Sequence, residues 1–273
     1  MMKRILIICL LLGTAFSSFA QLSEADSLRI EAIYKRSMRE YQGTKMNMLY
    51  LDSCVQLNPN MAKAWRDLGT PYLKRGDFAT WAWYINKAVA LAPKKMLVSR
   101  GWCRYKFMRD CEGALADLKE VIRLTGDGTA HTGDGTYNLY VVMALCERGL
   151  GHPEAALQYF SLGIDSVRKW DPNRPPDLYD YVHRAALKIQ LQDYKGAMND
   201  LEKEEKIYPD LAETSYYKGI ILLAQKKTAA AVQQFNEADK RLKTGFRLND
   251  VYCEIFDSIY PWDVAAQLAA VPH

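Results

Sequence analysis

Residues 65–93 have the sequence WRDLGTPYLKRGDFATWAWYINKAVALAP, and several other segments repeat its pattern. Its large apolar residues recur three and four positions apart, which places them on one side of a first helix. Gly69 leaves room for a second helix to approach, and Gly76-Asp77 interrupts the helical pattern between the two. Pro93 ends the second helix because proline cannot donate to the helix ladder and disfavours helical angles in its predecessor. The stretch therefore predicts a helical hairpin.

The spacing of this hairpin resembles the tetratricopeptide repeat (TPR). The residues that carry the resemblance are Trp65-x2-Leu68-Gly69-x2-Tyr72, followed by Ile85, Ala88 and Pro93. Trp81 departs from the family pattern, which has a small residue there, so we expect this hairpin to be splayed wider than usual. The resemblance implies a stack of hairpins whose concave face, walled by the first helices, binds another protein or peptide.

Other segments repeat the same two-helix plan. One period earlier, the helix MNMLYLDSCVQLNP ends at Pro59, and the first helix before it lacks the Trp and Gly, as expected of an amino-terminal cap. Four further copies follow Pro93, marked by Gly101, Tyr105, Ala114 and Leu118; by Tyr140, Ala144, Ala156 and Phe160; by Tyr181, Ala185, Ala197 and Leu201; and by Gly219, Leu222, Ala231 and Phe235. The predicted fold class is all-α: an α-solenoid of about six TPR-like helical hairpins over residues 21–245, with a C-terminal helical cap over residues 246–273 and no sheet.

Two insertions interrupt the period. Residues 125–136, TGDGTAHTGDGT, contain the same five residues twice. Either Asp127 and Asp134 are candidate calcium ligands, or the glycine-rich backbone is a candidate phosphate cradle. The alternating oxygen ligands of a calcium loop and the lysine of a phosphate loop are missing, which favours a mobile surface loop. Residues 169–177, KWDPNRPPD, hold three prolines and predict a stiff connector at which the array bends between its first four units and its last two.

The first twenty residues have the order of a signal peptide. Lys3 and Arg4 precede an apolar run over residues 5–12, and small residues precede Gln21. The alternative is an uncleaved membrane anchor, although the apolar run is short for a bilayer span. We expect residues 1–20 to be removed, no stable membrane insertion afterwards, and an exported bacterial protein that is periplasmic or secreted.

The composition is that of a soluble globular protein, with 49% hydrophobic and 25% charged residues. The net charge of +4 falls to +2 (4 minus 2) when Lys3 and Arg4 are removed. So small a charge, without alternating aromatic and basic residues, does not favour nucleic acid as a partner.

Five cysteines remain after residue 20, so at least one thiol is unpaired or bridges two chains. Their spacing matches no zinc pattern, and Cys103 and Cys146 are expected to behave as small buried hydrophobes. Cys103 and Cys111 are the nearest pair in sequence, but the helical turns between them fit bridging geometry poorly. A bond between these two is left open.

No set of acid, base and nucleophile is recognisable, and no HExxH pair occurs, so no enzymatic activity, metal or cofactor is expected. His183 lies on a first helix, where a groove or packing residue is expected rather than a base. Two binding functions remain. One is a protein-protein interaction scaffold or adaptor of the cell envelope that holds a peptide in its groove, and the other is a structural subunit of a larger envelope assembly. A homo-oligomer is compatible with both.

Alignment of the units predicts a groove that is basic at its amino-terminal end and apolar beyond it. The predicted groove residues are Arg36, Lys63, Arg66, Lys74, Trp102, Lys106, Val141, Leu145, Val182, Ala186, Tyr216 and Ile220. The basic end is either the site of an acidic partner or a solvated face. The apolar end should be covered. We expect residues 248–260, LNDVYCEIFDSIY, to form a helix that either fills the groove or caps the last unit.

Overall fold

The computed structural model of the chain describes residues 22–271, except for the side chains of residues 168–170. The predicted signal peptide, residues 1–20, lies outside this part. Across residues 22–271 the regular structure is helical without a strand, as predicted, and one isolated antiparallel bridge joins His131 to Asn138. Among the helices so described, none combines the length and apolarity that crossing a bilayer requires. The chain divides into two compact units, Met1–Pro59 and Asn60–His273.

The first unit contains one helical hairpin, made of α1 (Glu24–Ser37) and α2 (Lys45–Leu57). The buried side chain of Asn47 makes hydrogen bonds to the backbone of the turn between these helices. The side-chain Nδ2 of Asn47 donates to the Ser37 carbonyl oxygen at 2.9 Å, and its side-chain Oδ1 accepts from the backbone amide of Gly43 at 2.9 Å. This is the hairpin that the sequence predicts as the amino-terminal cap.

The second unit contains five helical hairpins and a last helix. The hairpins are α3 (Ala62–Lys74) with α4 (Phe78–Leu91), α5 (Pro93–Cys103) with α6 (Cys111–Thr125), α7 (Leu139–Gly149) with α8 (Pro153–Trp170), α9 (Asp180–Gln190) with α10 (Tyr194–Ile207), and α11 (Ala212–Ala224) with α12 (Thr228–Leu242). The last helix is α13 (Pro261–Ala270). Within this unit each second helix also packs on the first helix of the next hairpin, and α13 packs on α12. Together with the hairpin of the first unit, residues 22–271 contain the six hairpins that the repeats predict.

The α3–α4 hairpin is closely packed, so the expectation of a wider one is wrong. A β-carbon placed on Gly69 would lie only 2.8 Å from Cβ of Tyr84 and 3.5 Å from the carbonyl oxygen of Trp81. The same position is 3.5 Å from Cδ1 of Trp81, because the missing side chain of Gly69 leaves room for the edge of the indole ring. Gly76 then turns the chain at a φ of +83°, and Asp77 caps α4 by accepting from the Thr80 amide.

A buried aspartate held by two basic residues closes two of the hairpins, α5–α6 and α9–α10. The aspartate lies on the second helix, and the two basic residues lie one turn apart at the end of the first. The sets are Asp117 with Arg100 and Arg104, and Asp200 with Arg184 and Lys188, at N···O distances between 2.6 and 3.1 Å. Because the carboxylates are almost fully buried, these ion pairs fix how the two helices of each hairpin meet.

The prolines of residues 169–177 do not separate two groups of hairpins. α8 packs against α9 across the insertion, and Leu187 of α9 belongs to the same apolar cluster as Val141 and Phe160. The division of the chain falls instead between Pro59 and Asn60. The expected separation of the first four units from the last two is therefore wrong, because side-chain packing continues past the prolines.

The predicted helix over residues 248–260 does not form. Asp250 accepts hydrogen bonds from the amides of Tyr252 and Cys253 at 2.8 and 3.1 Å, which competes with helix formation, and Asp257 adopts a φ of +58°. Residues 246–260, here called the return loop, are irregular. Only Pro261–Ala270 of the predicted helical cap is helical, and it packs on α12 as a cap of the last hairpin should.

Candidate interaction groove

The first helices α3, α5, α7, α9 and α11 form one face of the second unit, here called the groove face. α5 ends on this face in a π-turn, Arg104–Met108, which takes up the additional residue of this repeat. The π-turn carries Lys106, whose ammonium group lies among acidic side chains although the residue is only 7% exposed. Its Nζ donates to Asp134 at 3.0 Å and also to Asp250. Burial alone lowers the pKa of Lys106, but the hydrogen bonds to Asp250 and Asp134 outweigh it and leave this pKa raised.

The first insertion is fastened to the groove face, contrary to the expectation of a mobile surface loop. Asp134 accepts from Nε1 of Trp102 at 3.1 Å as well as from Lys106, and from the hydroxyl of Thr132 at 2.7 Å. Burial raises the pKa of Asp134, but the hydrogen bonds from Thr132 and Lys106 lower it further, to about 2. Asp134, the aspartate of the second TGDGT, therefore binds the loop to Lys106 and Trp102. These two contacts explain why the loop packs against the groove face.

The return loop lies on the groove face and contacts every first helix of the second unit. Its polar contacts include Asp250 with Lys106, the Glu254 carbonyl with Arg109 at 3.2 Å, and the Ile259 amide with Glu213 of α11 at 3.3 Å. Between these, Asp257 binds groups from three hairpins: Arg148 of α7 and His183 of α9 through its side chain, and the Tyr217 hydroxyl of α11, which donates to its carbonyl oxygen at 3.1 Å. Nη1 of Arg148 donates to both Asp257 oxygens at 3.0 and 2.8 Å, and Nδ1 of His183 lies 2.8 Å from Oδ2.

Aromatic rings and cations make further contacts between the return loop and the groove face. Phe256 stacks on Tyr105 with ring centroids 5.9 Å apart, and the Arg109 guanidinium lies 4.6 Å from the Phe256 ring centre. Tyr252 lies at the tip of the loop, 5.9 Å from the Phe107 ring and 4.6 Å from Nζ of Lys74. An irregular segment of this chain thus occupies the groove. It is held there by aspartates that form ion pairs with basic residues and by contacts between aromatic rings. It takes the groove-filling place that was one of the two alternatives for the predicted helix.

Part of the groove stays open beyond the tip of the return loop. It is a cavity of about 370 Å³, here called the open pocket, between α3, α4, α5 and the π-turn. A cavity of this volume is large enough for one or two side chains of a ligand. Its lining combines cations, two carboxylates and aromatic rings and consists of Arg66, Asp67, Thr70, Leu73, Lys74, Trp81, Ile85, Ser99, Trp102, Cys103, Lys106, Phe107, Gly133, Asp134 and Tyr252.

Four of the predicted groove residues, Arg66, Lys74, Trp102 and Lys106, come together in the open pocket. Lys63 is half-buried on α3 outside this lining, and Arg36 is an exposed residue of α1 in the first unit. The sequence did not place Phe107, Trp81, Asp134 and Tyr252 in the groove. The one available signal was the extra residue in the third repeat, which forms the π-turn.

The predicted apolar end of the groove is covered, as expected. Val141, Leu145, Val182 and Ala186 are all buried, at 0%, 1%, 0% and 4% exposure. Val141 points at α8, since a β-carbon on Gly163 would lie 2.9 Å from its Cγ2. Tyr216 and Ile220 are half-buried and pack against the cluster of Phe235 and Val264. Val182 packs in a cluster with Ile255 and Leu248 of the return loop. These residues are therefore covered by neighbouring helices or by the return loop and do not offer an open surface.

A second buried polar cluster lies on α9, α10 and α11, next to the carboxyl-terminal end of the return loop. The Tyr179 hydroxyl donates to Glu213 at 2.6 Å, and the Tyr179 amide donates to Glu204 at 2.9 Å. Burial raises the pKa of Glu204 to about 7, and burial also raises the pKa values of Glu213 and Asp180. No group of three or more acidic, histidine or cysteine side chains suited to a metal ion occurs in residues 22–271.

No family model matches the sequence, and no curated protein is significantly similar to it. Solved structures do share its fold. PilF of Pseudomonas aeruginosa is 15% identical, with a TM-score of 0.62 over 81% of this chain and 95% of that one. PilW, described as a type IV pilus biogenesis factor, is 13% identical, with a TM-score of 0.61 over 83% of this chain and 100% of that one. YrrB, described as a TPR protein with an unusual peptide-binding site, is 13% identical, with a TM-score of 0.53 over 71% and 92%.

Identities this low bear on the fold alone. The chain has the all-α solenoid fold of the tetratricopeptide-repeat proteins.

Proposed function

We propose that this chain is an exported, non-enzymatic scaffold or adaptor of the cell envelope, and that its open pocket binds an extended acidic segment of a partner protein. The observation that carries the proposal is the binding of the return loop to the groove face. The groove face binds an extended piece of polypeptide, in this case its own, through Asp250 on Lys106 and Tyr252 against Phe107 and Lys74.

The open pocket continues the same chemistry past the tip of the loop. Lys74 is exposed, and Arg66 is half-exposed and paired through Nε with Oδ1 of Asp67 at 2.8 Å. Both cations lie on the α3 wall opposite Trp102 and Phe107. A carboxylate in this place would gain the attraction of both cations, while a neighbouring aromatic or aliphatic side chain would pack on the rings. The partner segment should therefore pair an acidic residue with a large apolar one. The peptide-binding site named for YrrB, which has the same fold, supports a peptide ligand.

Peptide binding tests the pocket. The probe is a capped peptide with the sequence of residues 249–254, NDVYCE, with serine for cysteine, and its matched control replaces Asp and Glu by Asn and Gln. Binding is followed by tryptophan fluorescence, because Trp81 and Trp102 line the pocket. We expect the acidic peptide to bind more tightly than its neutral control, and to lose at least tenfold in affinity in the double variant Arg66→Glu, Lys74→Glu.

The control variant is Lys240→Glu, Lys243→Glu, which reverses two exposed lysines on the last hairpin. It should bind the acidic peptide as the wild type does. Equal affinity of the pocket variant and the wild type, at both low and high salt, would overturn the acidic-segment proposal.

Capture from envelope extracts of the native host separates an adaptor from a structural subunit. An adaptor should release its partner when the pocket variant is used or when the acidic peptide is added. A partner that stays bound in equal amounts under both conditions would indicate the subunit function instead, through surfaces outside the pocket.

Export is tested by the intact mass of the protein from its native host. The expected mass begins at Gln21, because the signal-peptide order of residues 1–20 predicts cleavage there. A mature mass that retains Met1 or Met2 would contradict export by this route.

A further inference from the structure

Two cysteines from neighbouring hairpins lie against each other. Cys111 is the first residue of α6 and is half-buried, and Cys146 is fully buried on α7. Cys146 and Gly149 lie one turn apart on the same side of α7, and a β-carbon on Gly149 would lie 3.3 Å from Sγ of Cys111. The two thiols share a side-chain hydrogen bond. The two sulfurs therefore meet at the contact between α6 and α7.

The surroundings give these two thiols different reactivities. The hydrogen bond with Cys146 lowers the pKa of Cys111 to about 7, against a smaller opposing effect of burial, and Arg109 acts in the same direction. The position of Cys111 at the start of α6 also favours its thiolate. The hydrogen bond to Cys111 and burial both raise the pKa of Cys146. Cys111 is thus the nucleophile of the pair and Cys146 its buried partner.

The other cysteines of the second unit do not compete for Cys111. Cys103 lines the open pocket and packs with the Trp81 cluster, and burial raises its pKa to about 12. Cys253 is in the return loop, where burial raises its pKa as well. The bond between Cys103 and Cys111 that the sequence left open is therefore not the one that the structure supports, because Cys111 faces α7 and Cys103 faces the groove.

We propose that Cys111 and Cys146 form a redox-active pair that closes to a disulfide joining α6 to α7. The oxidant is an external disulfide, such as oxidised glutathione or the active-site disulfide of a thiol oxidoreductase. The Cys111 thiolate attacks one sulfur of that disulfide and releases the other as a thiolate, which gives a mixed disulfide on Cys111. Cys146 then loses its proton to the released thiolate and attacks Sγ of Cys111, expelling the second thiol. Two protein thiols are oxidised and one external disulfide is reduced to two thiols.

The disulfide would tie together the two hairpins that flank the first insertion. α6 ends where the insertion begins, and α7 begins where it ends, so the bond closes the segment that carries Asp134. A crosslink at this position restricts the unfolded chain and stabilises the pairing of α6 with α7.

Thiol mapping of the reduced wild-type protein tests the pair without any variant. The protein is incubated at neutral pH with increasing oxidised glutathione, quenched with acid, alkylated, digested and analysed by mass spectrometry. We expect two of the five thiols to be lost together, with a crosslinked peptide that contains Cys111 and Cys146. In the reduced protein, the alkylation rate of Cys111 should reach half its maximum near pH 7.

Variants distinguish the two steps. Cys146→Ala should stop at a mixed disulfide of Cys111 with glutathione, and Cys111→Ser should leave Cys146 reduced at the same glutathione concentration. The matched control, Cys253→Ser, should form the same crosslink as the wild type. If full oxidation leaves both Cys111 and Cys146 open to alkylation, or joins Cys111 to Cys103 or Cys253, the proposal is wrong.

Discussion

Asp257 of the return loop lies 2.8 Å from Nη1 of Arg148, a residue that precedes it by 109 positions. The aspartate side chain is 6% exposed and that of Arg148 is 14% exposed, and His183 shares the same carboxylate. This ion pair holds an irregular segment in place where the chain has no helix ladder to order it. Removal of the carboxylate leaves two basic groups buried without their partner.

Asp257→Ala should therefore lower the free energy of unfolding by about 3–5 kcal/mol, the usual cost of breaking a buried ion pair from one side. Urea denaturation measures the change. The control is Asp239→Ala, which removes an exposed pair with Lys243 and should cost less than about 0.5 kcal/mol. A similar small cost for both variants would show that the Asp257 contact does not hold the loop.

Stability should fall as the pH rises above the acidic range. Burial raises the pKa of Glu204 from 4.5 to about 7, so its contribution is fully present below pH 4.5 and is lost as the pH rises through 7. The loss is on the order of 3 kcal/mol, and Asp180 and Glu213, whose pKa values are also raised by burial, act in the same direction. Urea denaturation at a series of pH values checks this. Glu204→Gln should flatten the dependence between pH 4.5 and 8, and an unchanged slope would contradict the assignment.

Asp257 affects the pH dependence of stability in the opposite direction, at lower pH. Burial raises its pKa, but the hydrogen bond and charge of His183, with the charge of Arg148, lower it below 3.8 overall. Its contribution is therefore present above pH 3.8 and is lost as the pH falls through the lowered value. Asp257→Asn should remove this acid-side loss while the neutral-side loss due to Glu204 remains.

Gly219 is required where α11 meets α12. A β-carbon there would lie 2.5 Å from Cε1 of the fully buried Phe235. Gly219→Ala should cost about 1–3 kcal/mol despite the better helix propensity of alanine, and Phe235→Leu in the same chain should recover part of the loss. Thermal and urea unfolding measure both. Gly133→Ala is the control, because nothing lies within 4 Å of the added atom. If the two alanine variants were equally stable, the close approach would be unimportant.

The sequence predicts the hairpins because their signals are local. Gly76 and Asp77 end one helix and start the next, and Pro93 begins α5, all within the stretch that repeats. The same alignment places Arg66, Lys74, Trp102 and Lys106 on one face. It does not show which parts of that face are covered, and Val141 and Leu145 are buried because α8 and other helices enclose α7.

The return loop was missed for a different reason. The apolar spacing of Val251, Ile255 and Ile259 matches a helix, but Val251 is 82% exposed while Ile255 and Ile259 are buried against different helices. The structure of this segment depends on contacts with residues far away in the sequence, above all Arg148 and Lys106. A periodicity argument contains no information about such contacts, so it assigns a helix.

Deletion of residues 246–273 tests how widely the return loop stabilises the second unit. A segment that only capped the last hairpin would leave α5 to α9 unaffected. The structure predicts a broader effect, because the loop contacts the π-turn, α7, α9 and α11 through Lys106, Arg148, His183 and Glu213. Amide hydrogen exchange should therefore increase in all of these elements in the shortened chain, and the largest change is expected around Arg148 and His183, which lose the buried carboxylate that they both contact.

The matched control is Val264→Ala. Val264 is 1% exposed on α13 and packs in the same cluster as Phe235, so its truncation loosens the cap while the return loop stays intact. Val264→Ala should lower the free energy of unfolding by about 2 kcal/mol. Faster amide hydrogen exchange should be confined to α11, α12 and α13. Exchange that rises only in these last helices in the deletion as well would show that the return loop rests on the groove without stabilising it. In that case each hairpin would depend on its neighbours alone, as in a simple repeat array.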